Sequence, residues 1–163
     1  MFIMKKFLFL QKFSTDQMGL SDTFAKPLVK QDRLIFLHDL NDQGTLFGGM
    51  ALKWMDEVAY LTAREYTGQK IVTARIDRIR FITPVKAGSQ VEITGNVVQA
   101  GNVKLNVWVE LWMKEKDCDE KVKAASGRFI FSPTDESGRP VKLTKKNVNL
   151  HKKNSDLLII AEQ

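Results

Sequence analysis

An α+β domain, with one antiparallel sheet packed on one long helix, is the fold this sequence predicts. Three observations predict it. A single long apolar pattern of helical period runs from Phe47-Gly48-Gly49 to Tyr66. Four alternating apolar segments follow, joined by turns of only a few residues, so those strands must be antiparallel. Helical and strand patterns do not alternate as βαβ units, which disfavours a doubly wound fold.

The elements follow in order. Residues 28–37 (LVKQDRLIFL) read as a strand, and residues 38–44 (HDLNDQG), dense in turn formers, as a loop. The helix closes at Thr67-Gly68, where glycine suits a helix C-terminus. Residues 71–82 alternate, with Val72, Ala74 and Ile76 expected on one face. Pro84 and Ala87-Gly88 turn the chain into a strand at 91–98. Ala100-Gly101-Asn102 makes a hairpin turn before the long strand at 103–114. A charged turn at 115–120, a strand at 121–131 and a Pro- and Gly-bearing loop at 132–140 complete the pattern. One domain at 28–140 results, with an N-terminal arm at 1–27 and a basic tail at 141–163.

Composition narrows the class. The chain has 163 residues, of which 44% are hydrophobic and 27% charged. That is one ordinary globular domain, and it argues against disorder or a polytopic membrane protein. A single cysteine, Cys118, excludes an internal disulfide and a cysteine-based zinc site. His38 and His151 are too few for a histidine-rich metal site. A reducing, cytoplasmic location is expected. Part of the net charge of +6 sits in the tail, where Lys142, Lys145, Lys146, Lys152 and Lys153 stand without an acid, read as a solvated end. The arm begins MFIMKKFLFLQKF; its apolar run at 7–10 is too short to span a bilayer, and no small-residue cleavage site follows. Stable membrane insertion is not expected.

Three features of the helix region stand out. On the helical wheel, Leu52, Met55, Val58, Ala59, Thr62 and Tyr66 share the apolar side, and Lys53, Glu57 and Arg64 oppose it, with Lys53 and Glu57 at i,i+4. Asp56 sits at the border, with Gly49 and Ala63 near its meridian. It reads as a solvated border residue or as a carboxylate beside a channel. Gly44, Gly48 and Gly49 bracket the helix start, where unpaired N–H groups can polarise a carbonyl, or where the glycines merely serve close packing. Asn41, in the preceding loop, can donate to a carbonyl, hold a water or cap its own backbone. His38 reads as structural or as a base.

The stretch from His38 to Gly49, with Trp54-Met55-Asp56-Glu57 behind it, resembles the hotdog-fold acyl-CoA thioesterases of the YciA and brain acyl-CoA hydrolase branch. That branch carries Asn-x-x-Gly-x-x-Phe-Gly-Gly ahead of the central helix and Met-Asp or Met-Glu within it. A second block, Ile71-Val72-Thr73-Ala74-Arg75-Ile76-Asp77 with Phe81-Ile82-Thr83-Pro84-Val85, is similar to the branch's Val-Val-Thr-x-Arg and Phe-x-x-Pro-Val. The resemblance covers roughly residues 28–135.

The resemblance implies an antiparallel sheet wrapped around one central helix, a homodimer with interfacial sites, and in some relatives a trimer of dimers. It implies hydrolysis of an acyl-CoA ester, with coenzyme A as part of the substrate and no separate cofactor. Asp56 matches the acid that serves as general base on water or as nucleophile. Asn41 matches the residue, given by the facing subunit, that orients the water or the thioester. Gly49, with Met50, matches the backbone donor to the carbonyl. Phe47, Gly48, Thr73 and Ser126 are candidates for the site wall, and Arg75, Arg128 and Lys123 for the phosphates of coenzyme A. An apolar groove near Trp54 and Phe47 is expected to raise the Asp56 pKa. A thiolate leaves readily, so no strong general acid is required.

Rival readings are weaker. A hotdog dehydratase would use His38 with Glu57, but no Phe-Pro follows His38. A non-catalytic acyl-CoA sensor has no need of both Asn41 and Asp56. A nucleic-acid binder rests on charge alone, without a recognition motif.

Overall fold

The computed structural model describes residues 28–114 and 120–145. The N-terminal arm, Cys118 in its charged turn, and the tail from residue 146 onward lie outside them. The elements are β1 (Val29–Leu34), a 3-10 turn (Leu37–Asp39), α1 (Gly48–Thr67), β2 (Ile71–Phe81), β3 (Gln90–Ala100), β4 (Leu105–Lys114) and β5 (Lys121–Pro133). All pairings are antiparallel, in the order β1-β3-β4-β5-β2. This is the expected α+β architecture. The first strand is shorter than expected, because residues 37–39 coil into the 3-10 turn.

The core lies between α1 and one sheet face. Leu105, Val107, Val109, Leu111 and Met113 alternate inward from β4, and Phe129 and Phe131 from β5. They meet Ala51, Trp54, Met55, Val58, Ala59, Thr62 and Ala63 of α1. Gly68 closes the helix in the left-handed conformation (φ 67°), its N–H donating to Arg64 O. Ala63 is fully buried, so it does not open a channel beside Asp56. Glu57 does not pair with Lys53: its carboxylate takes Arg33 of β1 at 2.6 Å, and Arg33 also covers Trp54 at 5.1 Å. Trp54 therefore faces the β1 side of the helix.

β2 departs from simple alternation. Register shifts between Thr73 and Arg75 and between Asp77 and Arg80 insert extra residues opposite β5, as β-bulges do. Thr73 and Ile76 therefore pair with the inward-facing Phe131 and Phe129, whereas Val72 pairs with Ser132 on the outer side. The expected shared face of Val72, Ala74 and Ile76 does not form. β2 is also a sheet edge, and Val72, Ile76 and Phe81 along it are exposed by 45%, 36% and 59%.

The beginning of the basic tail is not solvated throughout. Val141 N–H donates to Pro133 O, Leu143 N–H to Asn102 O, and Thr144 N–H to Gln69 Oε1. Among the described residues, no helix is long and apolar enough to cross a membrane.

Candidate active site

The site residues gather at two places along the seam between α1 and β2. The first is the turn ahead of the helix. Asn41 N–H donates to Thr45 O (2.8 Å) and Gly44 N–H to Asn41 O (3.1 Å). Gly44 takes φ 73°, which a side chain would resist. The Asn41 amide closes the turn from within. Its Oδ1 accepts from Gln43 N–H (3.0 Å) and Thr45 N–H (3.1 Å), and its Nδ2 donates to Thr45 Oγ1 (3.1 Å). Phe47 N–H then donates to the backbone oxygen of Asp39 (2.8 Å), and buried Asp39 accepts from Phe36 N–H (2.9 Å). The turn is thus tied to the helix start.

α1 opens without a side-chain cap. Met50 N–H and Ala51 N–H both donate to Phe47 O (2.9 and 3.0 Å). Met50 N–H is therefore committed, contrary to its expected part as a carbonyl donor. Gly48 and Gly49 N–H meet no described backbone acceptor, so the positive end of the helix keeps two donors. Both glycines lie under aromatic rings. A Cβ at Gly49 would meet Phe47 Cε1 at 2.6 Å, and one at Gly48 would meet Phe81 Cζ at 3.4 Å. A pocket of about 330 Å³ opens here, with Asn41, Thr45 and Gly48 at a largely apolar wall that includes Ala51, Phe81 and Leu111.

The second place is Asp56, two turns further along α1. Its half-buried carboxylate accepts from Thr73 Oγ1 of β2 at 3.2 Å. Burial pushes the carboxyl above its ordinary range; the Thr73 hydrogen bond pulls back, and the Glu57 charge adds to the rise. The expected direction is found, and burial is its main cause. Gly48 and Asp56 stand about 12 Å apart along the helix axis, and Asp56 does not line the pocket that holds Asn41. One chain therefore brings together Asp56 with Thr73, and Asn41 with Gly48, but not the two pairs with each other.

The remaining candidates lie elsewhere. Ser126 is buried but pairs with Glu110 and Arg80 on the outer sheet face, away from the helix. Arg128 grips Asp77 with two hydrogen bonds (2.7 and 2.9 Å), which hold the Asp77 carboxyl below its usual range. Arg75 is largely exposed, with Nε 3.3 Å from Asp77, and Lys123 stacks over Trp112 at 4.7 Å. His38 is exposed and stacks on Phe36. Among the described residues, no three His, Cys, Asp or Glu side chains stand together as a metal site would need. The sequence reading passed over Thr45. Its signal was present in the spacing Asn-x-x-x-Thr within a turn, because an Asn side chain bonds the backbone just ahead of it.

One antiparallel sheet wrapped on a single long helix is a hotdog fold. The thioesterase superfamily model matches residues 43–118. An uncharacterised acyl-CoA thioester hydrolase of Zymomonas mobilis is 32% identical over 107 residues, covering 66% of this chain and 72% of that protein. The acyl-CoA thioester hydrolase YciA of Escherichia coli is 29% identical over 105 residues, covering 63% and 80%. The chain belongs to the thioesterase superfamily, among its acyl-CoA thioester hydrolases.

Solved structures agree. An apo-hexameric acyl-CoA thioesterase superposes with a TM-score of 0.69 at 30% identity, covering 74% of this chain and 80% of that one. An acyl-CoA hydrolase of Staphylococcus aureus, solved with butyryl coenzyme A and coenzyme A, superposes at 0.68 with 28% identity, covering 72% and 71%. That hydrolase has also been solved with an asparagine, an aspartate and a threonine each changed to alanine. The three are separated by fifteen and then seventeen residues, as Asn41, Asp56 and Thr73 are here.

Proposed function

We propose that this protein hydrolyses acyl-CoA thioesters to a carboxylic acid and coenzyme A, with Asp56 as general base. The observation that carries the reading is the half-buried Asp56 carboxylate, tied to Thr73 at 3.2 Å and raised in pKa by burial. A base is most effective when its pKa approaches the working pH. Asp56 takes a proton from water, whose oxygen bonds to the thioester carbon. The carbonyl oxygen becomes an oxyanion, met by Gly49 N–H and Asn41 Nδ2. The C–S bond then breaks, and the thiolate takes up a proton.

The minimal unit in this reading is a two-fold dimer joined along β2. Asn41 and Asp56 are too far apart in one chain to serve one carbonyl. β2 runs antiparallel to α1, so Phe81 lies near Gly48 and Thr73 near Asp56. A two-fold axis near Asp77, midway between Thr73 and Phe81, sets Thr73 and Asp56 of one copy across from Phe81, Gly48 and Asn41 of the other. The exposed apolar side chains of the β2 edge support that pairing. The hexameric relatives suit a further assembly of such dimers. The working compartment in this reading is the cytoplasm.

The test is thiol release from acyl-CoA esters of short to long chain, beside Asp56→Ala. Loss of general-base catalysis lowers kcat by about 10²–10⁴-fold. Full turnover by Asp56→Ala overturns its role. Binding of acyl-CoA without turnover by the wild type supports instead a non-catalytic sensor.

A further inference from the structure

We infer that Thr45 is a positioning residue, which turns the Asn41 amide so that Asn41 serves the active site only as a hydrogen-bond donor. The inference rests on the reading of Asn41 given above, and its ground is the bonding of that amide. Two backbone N–H groups, from Gln43 and Thr45, point at one terminal atom of the side chain at 3.0 and 3.1 Å. Both can only donate, so that atom must be the carbonyl oxygen. The other terminal atom is then the nitrogen. It donates one hydrogen to Thr45 Oγ1 at 3.1 Å. Its second hydrogen has no partner among the described residues, and Asn41 and Thr45 line the same pocket.

The acceptor capacity of Asn41 is thus used within its own turn. A substrate carbonyl or developing oxyanion can accept from the remaining Nδ2 hydrogen. Asn41 Oδ1 is not available to take a hydrogen from an attacking water. Thr45 meets the amide three times: its N–H donates to Oδ1 at 3.1 Å, its hydroxyl oxygen accepts from Nδ2 at 3.1 Å, and the same hydroxyl stands 3.3 Å from Oδ1, to which it can donate. Removing the hydroxyl keeps the two backbone bonds on Oδ1 but leaves Nδ2 without its partner, so the amide plane is held less tightly about χ2, which is a soft torsion.

The experiment compares five variants with the wild-type protein on one good acyl-CoA substrate: Thr45→Val, Thr45→Ser, Asn41→Asp, Asn41→Ala, and Asn41→Ala combined with Thr45→Val. Thr45→Val is expected to lower kcat about tenfold, the effect of one hydrogen bond's worth of misaligned stabilisation, with KM little changed. Thr45→Ser restores most of kcat. Asn41→Asp keeps both backbone bonds of the turn but has no hydrogen to donate, and it is expected to lose at least as much as Thr45→Val. In the Asn41→Ala background, Thr45→Val has no further effect, because Thr45 acts through Asn41. Circular dichroism and Tm show that each variant is folded.

The inference is overturned if Thr45→Val keeps its kcat while Asn41→Ala loses it, or if Asn41→Asp stays active. An equal, additive loss from Thr45→Val in the Asn41→Ala background also overturns it, since Thr45 would then act on substrate directly. If Thr45→Val folds poorly, Asn41→Asp and Thr45→Ser still decide the matter. A wild-type protein that releases no coenzyme A from any ester overturns the functional reading itself, a result distinct from the others.

Discussion

At the residue scale, Asp56 carries opposite consequences for activity and for stability. Its carboxyl is half-buried and, among the described residues, accepts a hydrogen bond from the Thr73 hydroxyl alone, and burial raises its pKa. In the unfolded chain the same group loses its proton in the ordinary carboxylate range. The folded state therefore holds this proton more tightly. Asp56 favours folding fully below the ordinary range, and that contribution is lost as pH rises through the raised folded value. Asp56→Asn keeps the shape and removes the charge. We expect its Tm to exceed that of the wild type at neutral pH, with the gain shrinking as the buffer is made acidic across this window. Thermal melts of both proteins over a pH series check it, and a constant difference at every pH contradicts it. As the proposed general base, the same carboxyl is expected to set the acid limb of kcat/KM, above the range of an exposed aspartate.

At the element scale, the approach of α1 to the sheet depends on Gly95 of β3. A Cβ at this position would collide with Thr62 Oγ1 and stand 3.2 Å from both Thr62 Cβ and Val58 Cγ1. Thr62 cannot swing away cheaply, because its hydroxyl donates to Val58 O at 2.7 Å in a fully buried position. Gly95→Ala must therefore push the helix outward or break that bond. We expect a loss of about 1–3 kcal/mol of stability, the usual range for overpacking a core, read as a lower denaturant midpoint. An unchanged midpoint would mean that α1 shifts freely. Gly127 offers a contrast. An added Cβ there meets the tip of the Ile79 side chain, a flexible end that can move.

At the scale of the whole molecule, the separation of Asn41 from Asp56 makes a prediction about assembly. Asn41→Ala and Asp56→Ala homodimers each lack one half of every site. In a mixed dimer built as proposed, one site carries both lesions and the other carries none. After unfolding and refolding the two inactive variants together, we expect about a quarter of wild-type activity, since half of the dimers are mixed and half of their sites are intact. Light scattering gives the oligomeric state of the same samples. No recovered activity in a mixture that forms mixed dimers would show that Asn41 and Asp56 serve one site within one chain.

Much of this was legible in the chain because it is local. The helix follows from apolar spacing and Gly68. The antiparallel strands follow from short turns that permit no other pairing. The motif around Asn41, Gly49 and Asp56 lies in one short stretch, and its resemblance to the thioesterases made it legible. What escaped was whatever depends on register or on distant partners. The β2 bulge after Thr73 put Ile76 on the inward face, opposite to Val72, because one inserted residue flips the face of each side chain after it. β5 put Ser126 on the far side of the sheet from Asp56. Arg33, far away in sequence, took Glu57 from Lys53 and drew Trp54 toward β1.

By itself, then, the sequence determined the helix and the antiparallel strands, since propensity, period and turn chemistry act over a few residues, and its resemblance to the thioesterases grouped Asn41, Gly49 and Asp56 into one motif. Only the tertiary structure decided which of them face each other. It set Asp56 against Thr73 and closed Asn41 on Thr45. It also set Asp56 about 12 Å along α1 from the helix start at Gly48, because sheet register and helix packing are settled by contacts between residues far apart in the chain.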